Sequence, residues 1–310
     1  MHCPSIEVHD DGDTMIELLT RSPGPGIGHA RQSLVAPSVY LDTWAIREFA
    51  ENPALGDRFR TILVGKEGTL VLSDINMVEF TAYEDRSHTE AAGKLFDSLL
   101  PHLFLMRCDP TLVVQNEEAV LAGERQRSPA GDSRALAEFA AAAARRRGQF
   151  SAAAWFSIVH SEREKLRHQL AGIAKVFYGQ IDRLRARMEG EPDSLKLIPD
   201  GPRTPKFRPP TVALLRTIIQ DLQADHALPR DQNSAIDLLH TIVPGAYCNF
   251  VLLDRQWSAR LNTAASKLAA AGIKAPVAVS YSKRHGGVES FLQDLESWPN
   301  QPTLSSVEVP

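Results

Sequence analysis

The chain has 310 residues, 43% of them hydrophobic and 23% charged, with a net charge of −4. That length holds one large domain or two ordinary ones and buries a core without disulfide staples. Cys3, Cys108 and Cys248 are too few and too scattered for a disulfide framework or a thiolate metal site, which points to a reducing compartment.

Cys108 and Cys248 sit in apolar stretches and read as buried small hydrophobes. No run approaches the roughly 20 apolar residues of a membrane span. The N-terminus lacks the basic-then-apolar order of a signal peptide, so a cytoplasmic protein is expected.

Residues 1–35 read as a flexible extension. Their Gly-rich stretch from Gly24 to Gly28 lacks a preceding strand, and Pro25 removes an amide donor, so it is a linker and not a phosphate loop. Ser38-Val39-Tyr40-Leu41 is a short β-prone run ending at Asp42, and helical periodicity follows from Thr43 to Ala50. A second strand is expected at Thr69–Leu72, with Ser73 or Asp74 capping a helix through Ile75–Phe80. Further strands are expected at Leu103–Met106, Phe250–Leu253 and Pro276–Val279. Helical patterns separate the five, which argues for a parallel sheet, its first strand central, with helices on both faces.

The middle of the chain differs. Residues 135–147 are Ala-rich and helical, and about 151–188 read as one long amphipathic helix. Leu166, Leu170, Ile173, Phe177, Leu184 and Met188 form its apolar stripe, fit for a hairpin arm or for pairing with another chain. Prolines from Pro192 to Pro210 make a stiff connection to a helix starting at Thr211. Residues 111–230 hold 19 Lys+Arg against 14 Asp+Glu, and the remainder holds 15 against 24. Arg145-Arg146-Arg147 and Arg183, Arg185 and Arg187 are therefore either nucleic-acid contacts or parts of a solvated face.

Asp42 and Asp254 each follow an apolar strand, at the sheet end where open parallel sheets bind ligands. Glu79 lies in the helix after the second strand. Asp237 lies in a helix with the apolar residues Ile236, Leu239, Val243 and Ala246, and His240, three residues on, reads as its polar-face partner. Carboxylates gathered at one point repel one another, and a hard divalent cation removes that penalty.

These acids, in this order, resemble the PIN-domain nucleases. Val39-Tyr40-Leu41-Asp42-Thr43 is similar to the family's first motif, and Ser73 to Glu79 to its second. Asp237-Leu238-Leu239-His240 resembles the third, and Tyr247 to Arg255 the fourth. The resemblance covers about 38–110 and 231–285. It implies a three-layer α/β/α domain over 36–110 and 231–310, a five-stranded parallel sheet, and a helical insertion at 111–230.

It further implies hydrolysis of RNA with Mg²⁺ or Mn²⁺ held by Asp42, Glu79, Asp237 and Asp254. Arg255, beside the last acid, is either a phosphate contact or a surface residue. Two departures stand out: Leu252 where the family often has Thr or Ser, and the length of the insertion. A phosphatase of the haloacid-dehalogenase type would need an acid where Trp44 stands, and a nicotinamide enzyme would need a glycine fingerprint after the first strand. The rival reading is an inactive PIN-like binding or scaffold module acting through the insertion.

Overall fold

The computed structural model describes residues 7–9, 17–20, 28–81, 85–123, 128–145, 151–165, helical residues scattered over 168–186, and 209–225, 231–284 and 286–299. The expected stripe from Leu166 to Met188, Cys3, the prolines from Pro192 to Pro205, and Arg146, Arg147, Arg185 and Arg187 lie outside them.

Five strands form one parallel sheet. They are β4 (Ser38–Leu41), β5 (Thr69–Ser73), β6 (Leu103–Met106), β7 (Phe250–Leu252) and β8 (Val279–Tyr281). Their order is β6-β5-β4-β7-β8, so the expected first strand is central. The last strand begins at Val279, later than the sequence predicted. Pro276 has no amide to donate, and Ala278 N–H is taken by Gly245 O; ladder pairing starts with Val279 N–H to Asn249 O.

Side chains alternate across the sheet and split the core in two. Val39, Leu41, Leu70, Leu72, Leu103, Leu105, Phe250 and Leu252 share one apolar cluster. It includes residues of α1 (Thr43–Glu51), α2 (Pro53–Gly65), α4 (Arg86–Ser98), α6 (Ser133–Arg145), α7 (Ala152–Ser161) and α11 (Gly287–Ser297). Tyr40, Val71, Phe104, Met106 and Val251 share the other. There they join α5 (Pro110–Leu121), α8 (Pro210–Ala224), α9 (Gln232–Tyr247) and α10 (Arg255–Ala270). Helix α3 (Asp74–Thr81) straddles the two, with Met77 and Phe80 on one side and Ile75 and Val78 on the other. The arrangement is consistent with a three-layer α/β/α architecture.

Two features of the organisation add to the sequence reading. The described part of 111–230 is helical and packs into the sheet's own core. Helices α5 and α8 supply Val113, Leu214, Ile218 and Leu222 to the sheet's own core. Buried Glu117 of α5 ties them together: its Oε1 accepts from Thr211 N–H at 3.0 Å and from the Tyr247 hydroxyl at 2.7 Å. It thereby serves the N-terminus of α8, where Pro209 offers no side-chain cap.

The second feature is at the start of the chain. Three strands, β1 (Glu7–His9), β2 (Glu17–Thr20) and β3 (Gly28–Arg31), form a small sheet within the stretch read as a linker. A strand thus does precede the glycines. The runs are only three or four residues long, too short to show a period. Just beyond β3, the Gln32 side-chain amide exchanges two hydrogen bonds with the Leu105 backbone and covers the edge of β6.

Helices α4 and α7 touch through small residues. A Cβ at Gly93 would lie 2.6 Å from Ala153 Cα, a backbone atom with nowhere to go. Gly93→Ala adds about 1 kcal/mol of helix propensity, but overpacking costs about 1–3 kcal/mol. Net destabilisation is expected in a urea titration; a raised midpoint would show that the two helices can part cheaply.

Candidate metal centre

The site is built at the carboxyl ends of the two central strands. Strands β4 and β7 pair with Leu41 opposite Leu252, and Asp42 N–H continues the ladder to Leu252 O at 2.9 Å. Asp42 and Asp254 therefore leave the sheet side by side. Each also caps the helix that follows: Asp42 Oδ1 accepts from Thr43 N–H at 2.5 Å, and Asp254 Oδ1 from Trp257 N–H at 2.7 Å. Capping uses one oxygen of each carboxylate and aims it at a helix N-terminus, where the dipole favours negative charge.

Glu79, on α3, is half-buried and not the solvent-facing acid its helix position allows. Its Oε2 accepts from the Thr43 hydroxyl and, at 2.7 Å, from His240 Nε2. The Thr that follows Asp42 thus orients the second acid.

His240 is only 1% exposed. The sequence paired it with Asp237 on a polar face; its ring nitrogens instead meet Glu79 and the Tyr40 hydroxyl. Its Nε2 also lies 3.9 Å from Asp42 Oδ1. The reason is periodicity: Ile236, His240 and Val243 are spaced four and three apart, which places the imidazole on the buried stripe of α9. Asp237, one residue beyond Ile236, turns partly outward.

A buried chain of polar groups supports this arrangement. Tyr40 reaches Ser73 Oγ at 3.1 Å. Ser73 and Asn76 cap each other reciprocally, Asn76 N–H to Ser73 Oγ and Ser73 N–H to Asn76 Oδ1, both at 3.1 Å. Asn76 Nδ2 then donates to Leu41 O at 3.1 Å. With His240 protonated, both its N–H groups donate, Tyr40 passes its proton toward Ser73, and Ser73 toward Asn76 Oδ1. Every buried member then has a partner.

The charges are strongly coupled. Burial, with Glu79 and Asp254 adding, pushes Asp42 up to about 6 although His240 and the Thr43 amide pull it down. Burial and the charges of Asp42, Asp254 and Glu79 push Asp237 up to about 7. Burial opposes the His240 charge, but Glu79, by charge and hydrogen bond, with Asp42 and Asp237, lifts its pKa to about 9. Glu79 is lowered despite its burial, chiefly by His240 and then by Thr43. All four acids singled out in the sequence thus act on one electrostatic neighbourhood.

Donor atoms of Asp42, Glu79 and His240 all lie within 4.8 Å of one another, close enough to bind one metal ion. The oxygens suit a hard divalent cation. Among the described residues, Glu79 Oε1 and Asp42 Oδ2 have no hydrogen-bond partner, whereas both nitrogens of His240 are engaged. The carboxylates are the available donors, and His240 is placed to hold Glu79 in position.

No family model, curated protein or solved structure matches the chain.

Cys108 and Cys248 are free and buried, as the sequence predicted. Among the described residues no helix is long and apolar enough to cross a membrane. Arg255 is exposed at the start of α10. Of the expected basic clusters, Arg145 ends α6, and Arg183 is exposed, with its Nε donating to Gly179 O at 3.0 Å; their companions lie outside the described residues.

Proposed function

We propose that the chain is a PIN-like, divalent-metal-dependent ribonuclease. The observation that carries this reading is the convergence of Asp42, Glu79 and His240 within 4.8 Å at the carboxyl end of a parallel sheet, with Asp237 and Asp254 adding charge to the same point. A structural ion pair needs one acid for one imidazolium; four carboxylates around one histidine leave an excess of negative charge that calls for a cation.

Asp42 and Glu79 hold the cation, Mg²⁺ or Mn²⁺, through their unengaged oxygens. The cation supplies Lewis acidity at a phosphate oxygen and makes a nearby water more acidic. Thr43 and His240 fix the Glu79 carboxylate, and the buried Tyr40–Ser73–Asn76 chain fixes His240. Asp237 and Asp254 strengthen the negative field that draws the cation in. Arg255, exposed beside Asp254, meets the phosphate of the incoming strand.

Purified protein is expected to cut a mixed RNA pool with Mn²⁺ or Mg²⁺ and to stop on addition of EDTA. Absence of cleavage of diverse RNAs with either metal would favour the binding-module reading instead.

A further inference from the structure

An open groove runs between α8 and α10. Its walls include Asp221 and Asp225 from the end of α8, and Arg255, Arg260, Thr263 and Lys267 from α10. Arg255 follows Asp254 directly, so this end of the groove lies one residue along the chain from the acid cluster. From there to Lys267 is twelve residues, about 18 Å along the helix axis.

The cations along it are held in different ways. Arg255 is exposed and makes no ion pair among the described residues. Arg260 pairs with Asp225, and Lys267 with Asp221, and their side chains are 14% and 51% exposed. The Arg260 guanidinium lies 5.6 Å from the Trp257 ring centroid, and its buried Nε has no hydrogen-bond partner. This arginine is therefore held in place between the Trp257 ring and Asp225, with its Nε buried and its terminal nitrogen engaged by the carboxylate.

We propose that this groove carries the backbone of single-stranded RNA away from the acid cluster. Arg255, Arg260 and Lys267 meet its phosphates, and Asp225 and Asp221 occupy the phosphate positions when RNA is absent. The choice of RNA as occupant rests on the nuclease reading; the groove's charge pattern does not. The Lys267–Asp221 pair, with its lysine side chain 51% exposed, contributes little, so a polyanion that releases its counterions on binding can displace Asp221. Arg260 is more enclosed, and a phosphate there replaces Asp225 on the same guanidinium with a charge-assisted hydrogen bond of the same kind. An acidic protein segment carries charge of the same sign, and it is the nuclease reading of the neighbouring acids, which act on a phosphodiester, that selects RNA over it.

The test is binding without cleavage: fluorescence anisotropy of the full chain with a labelled oligouridine in EDTA, over a series of salt concentrations. Replacing Arg255, Arg260 and Lys267 with Gln is expected to flatten the slope of log affinity against log salt by about 2, near 0.7 for each lost phosphate contact. Arg255→Gln alone, an exposed change that leaves both ion pairs intact, is expected to flatten it by about 0.7. Asp221→Asn with Asp225→Asn is expected to do the opposite, tightening binding and steepening the slope, with thermal melting confirming the fold.

Unchanged slopes in the Gln variants, or no tightening in a folded Asn variant, would overturn the groove assignment while leaving metal-dependent cleavage untouched. Oligoglutamate binding as tightly as oligouridine would overturn RNA as the occupant.

Discussion

Asp42→Asn is expected to fold normally and to lose metal-dependent RNA cleavage by about 10³-fold or more, a barrier increase of about 4 kcal/mol. Asparagine retains a side-chain oxygen to accept from Thr43 N–H, so the start of α1 keeps its cap. What disappears is one negative charge and one hard oxygen donor, at a residue only 8% exposed in the middle of the cluster. His240→Asn should cost less, about 10- to 100-fold, because it acts by holding Glu79. Single-turnover cleavage with saturating Mn²⁺ separates the two. Near-equal losses would place His240 among the groups that bind the metal directly, and an Asp42→Asn variant within tenfold of wild type would remove Asp42 from the site.

Without metal, the protein is expected to become less stable as pH rises from about 4 to 9. Asp42 and Asp237 have ordinary values of 3.8, raised in the fold to about 6 and about 7. His240 is raised from 6.5 to about 9. All three bind their proton more tightly folded than unfolded, so protonation favours the fold. The carboxyl contributions are complete below 3.8 and are lost as pH climbs through 6 and 7. That of His240 is complete below 6.5 and is lost through 9. Glu79 runs the other way, since its value is lowered from 4.5; its contribution is present above that pH and lost below it, outside most of this window.

Each pKa unit is worth about 1.4 kcal/mol, and Asp237 is partly solvated, so a discounted contribution from it is on the order of 2 kcal/mol, or about 3 °C in Tm. Metal-free Asp237→Asn should therefore melt above wild type at pH 8 and level with it at pH 4. Mn²⁺ replaces the lost protons, so its stabilising effect on wild type should be larger at pH 8 than at pH 5.5. A Tm difference between the two proteins that does not vary with pH would show that Asp237 lies outside the coupled cluster.

The sheet was legible because its strands are short apolar runs with an acid or a capping residue at the end. Val39-Tyr40-Leu41 and Phe250-Val251-Leu252 are buried on both faces, a pattern that fits a central parallel strand and little else. The small sheet of β1, β2 and β3 was not legible, since its runs are too short for a period and are separated by Gly, Pro and Asp. The integration of α5 and α8 into the core was hidden by distance along the chain. The groups that join them, Glu117, Thr211 and Tyr247, meet only in the folded molecule.

At the site, the acids were readable singly, because each ends a strand or lies on a helix that returns to the same sheet edge. The supporting network was not. His240 had a visible signal, the four-then-three spacing from Ile236 to Val243, but its closeness to Asp237 in sequence drew it to the wrong partner. Tyr40 looked like an ordinary core aromatic, and nothing local shows that its hydroxyl ends against an imidazole two hundred residues away.

The central claim is that the cluster binds a divalent cation through Asp42. Isothermal titration of metal-free protein with Mn²⁺ at pH 8 tests it most directly. Saturable binding by wild type and at least tenfold weaker binding by folded Asp42→Asn is the expected result; equal affinities for the two proteins, or no binding by wild type, would contradict it.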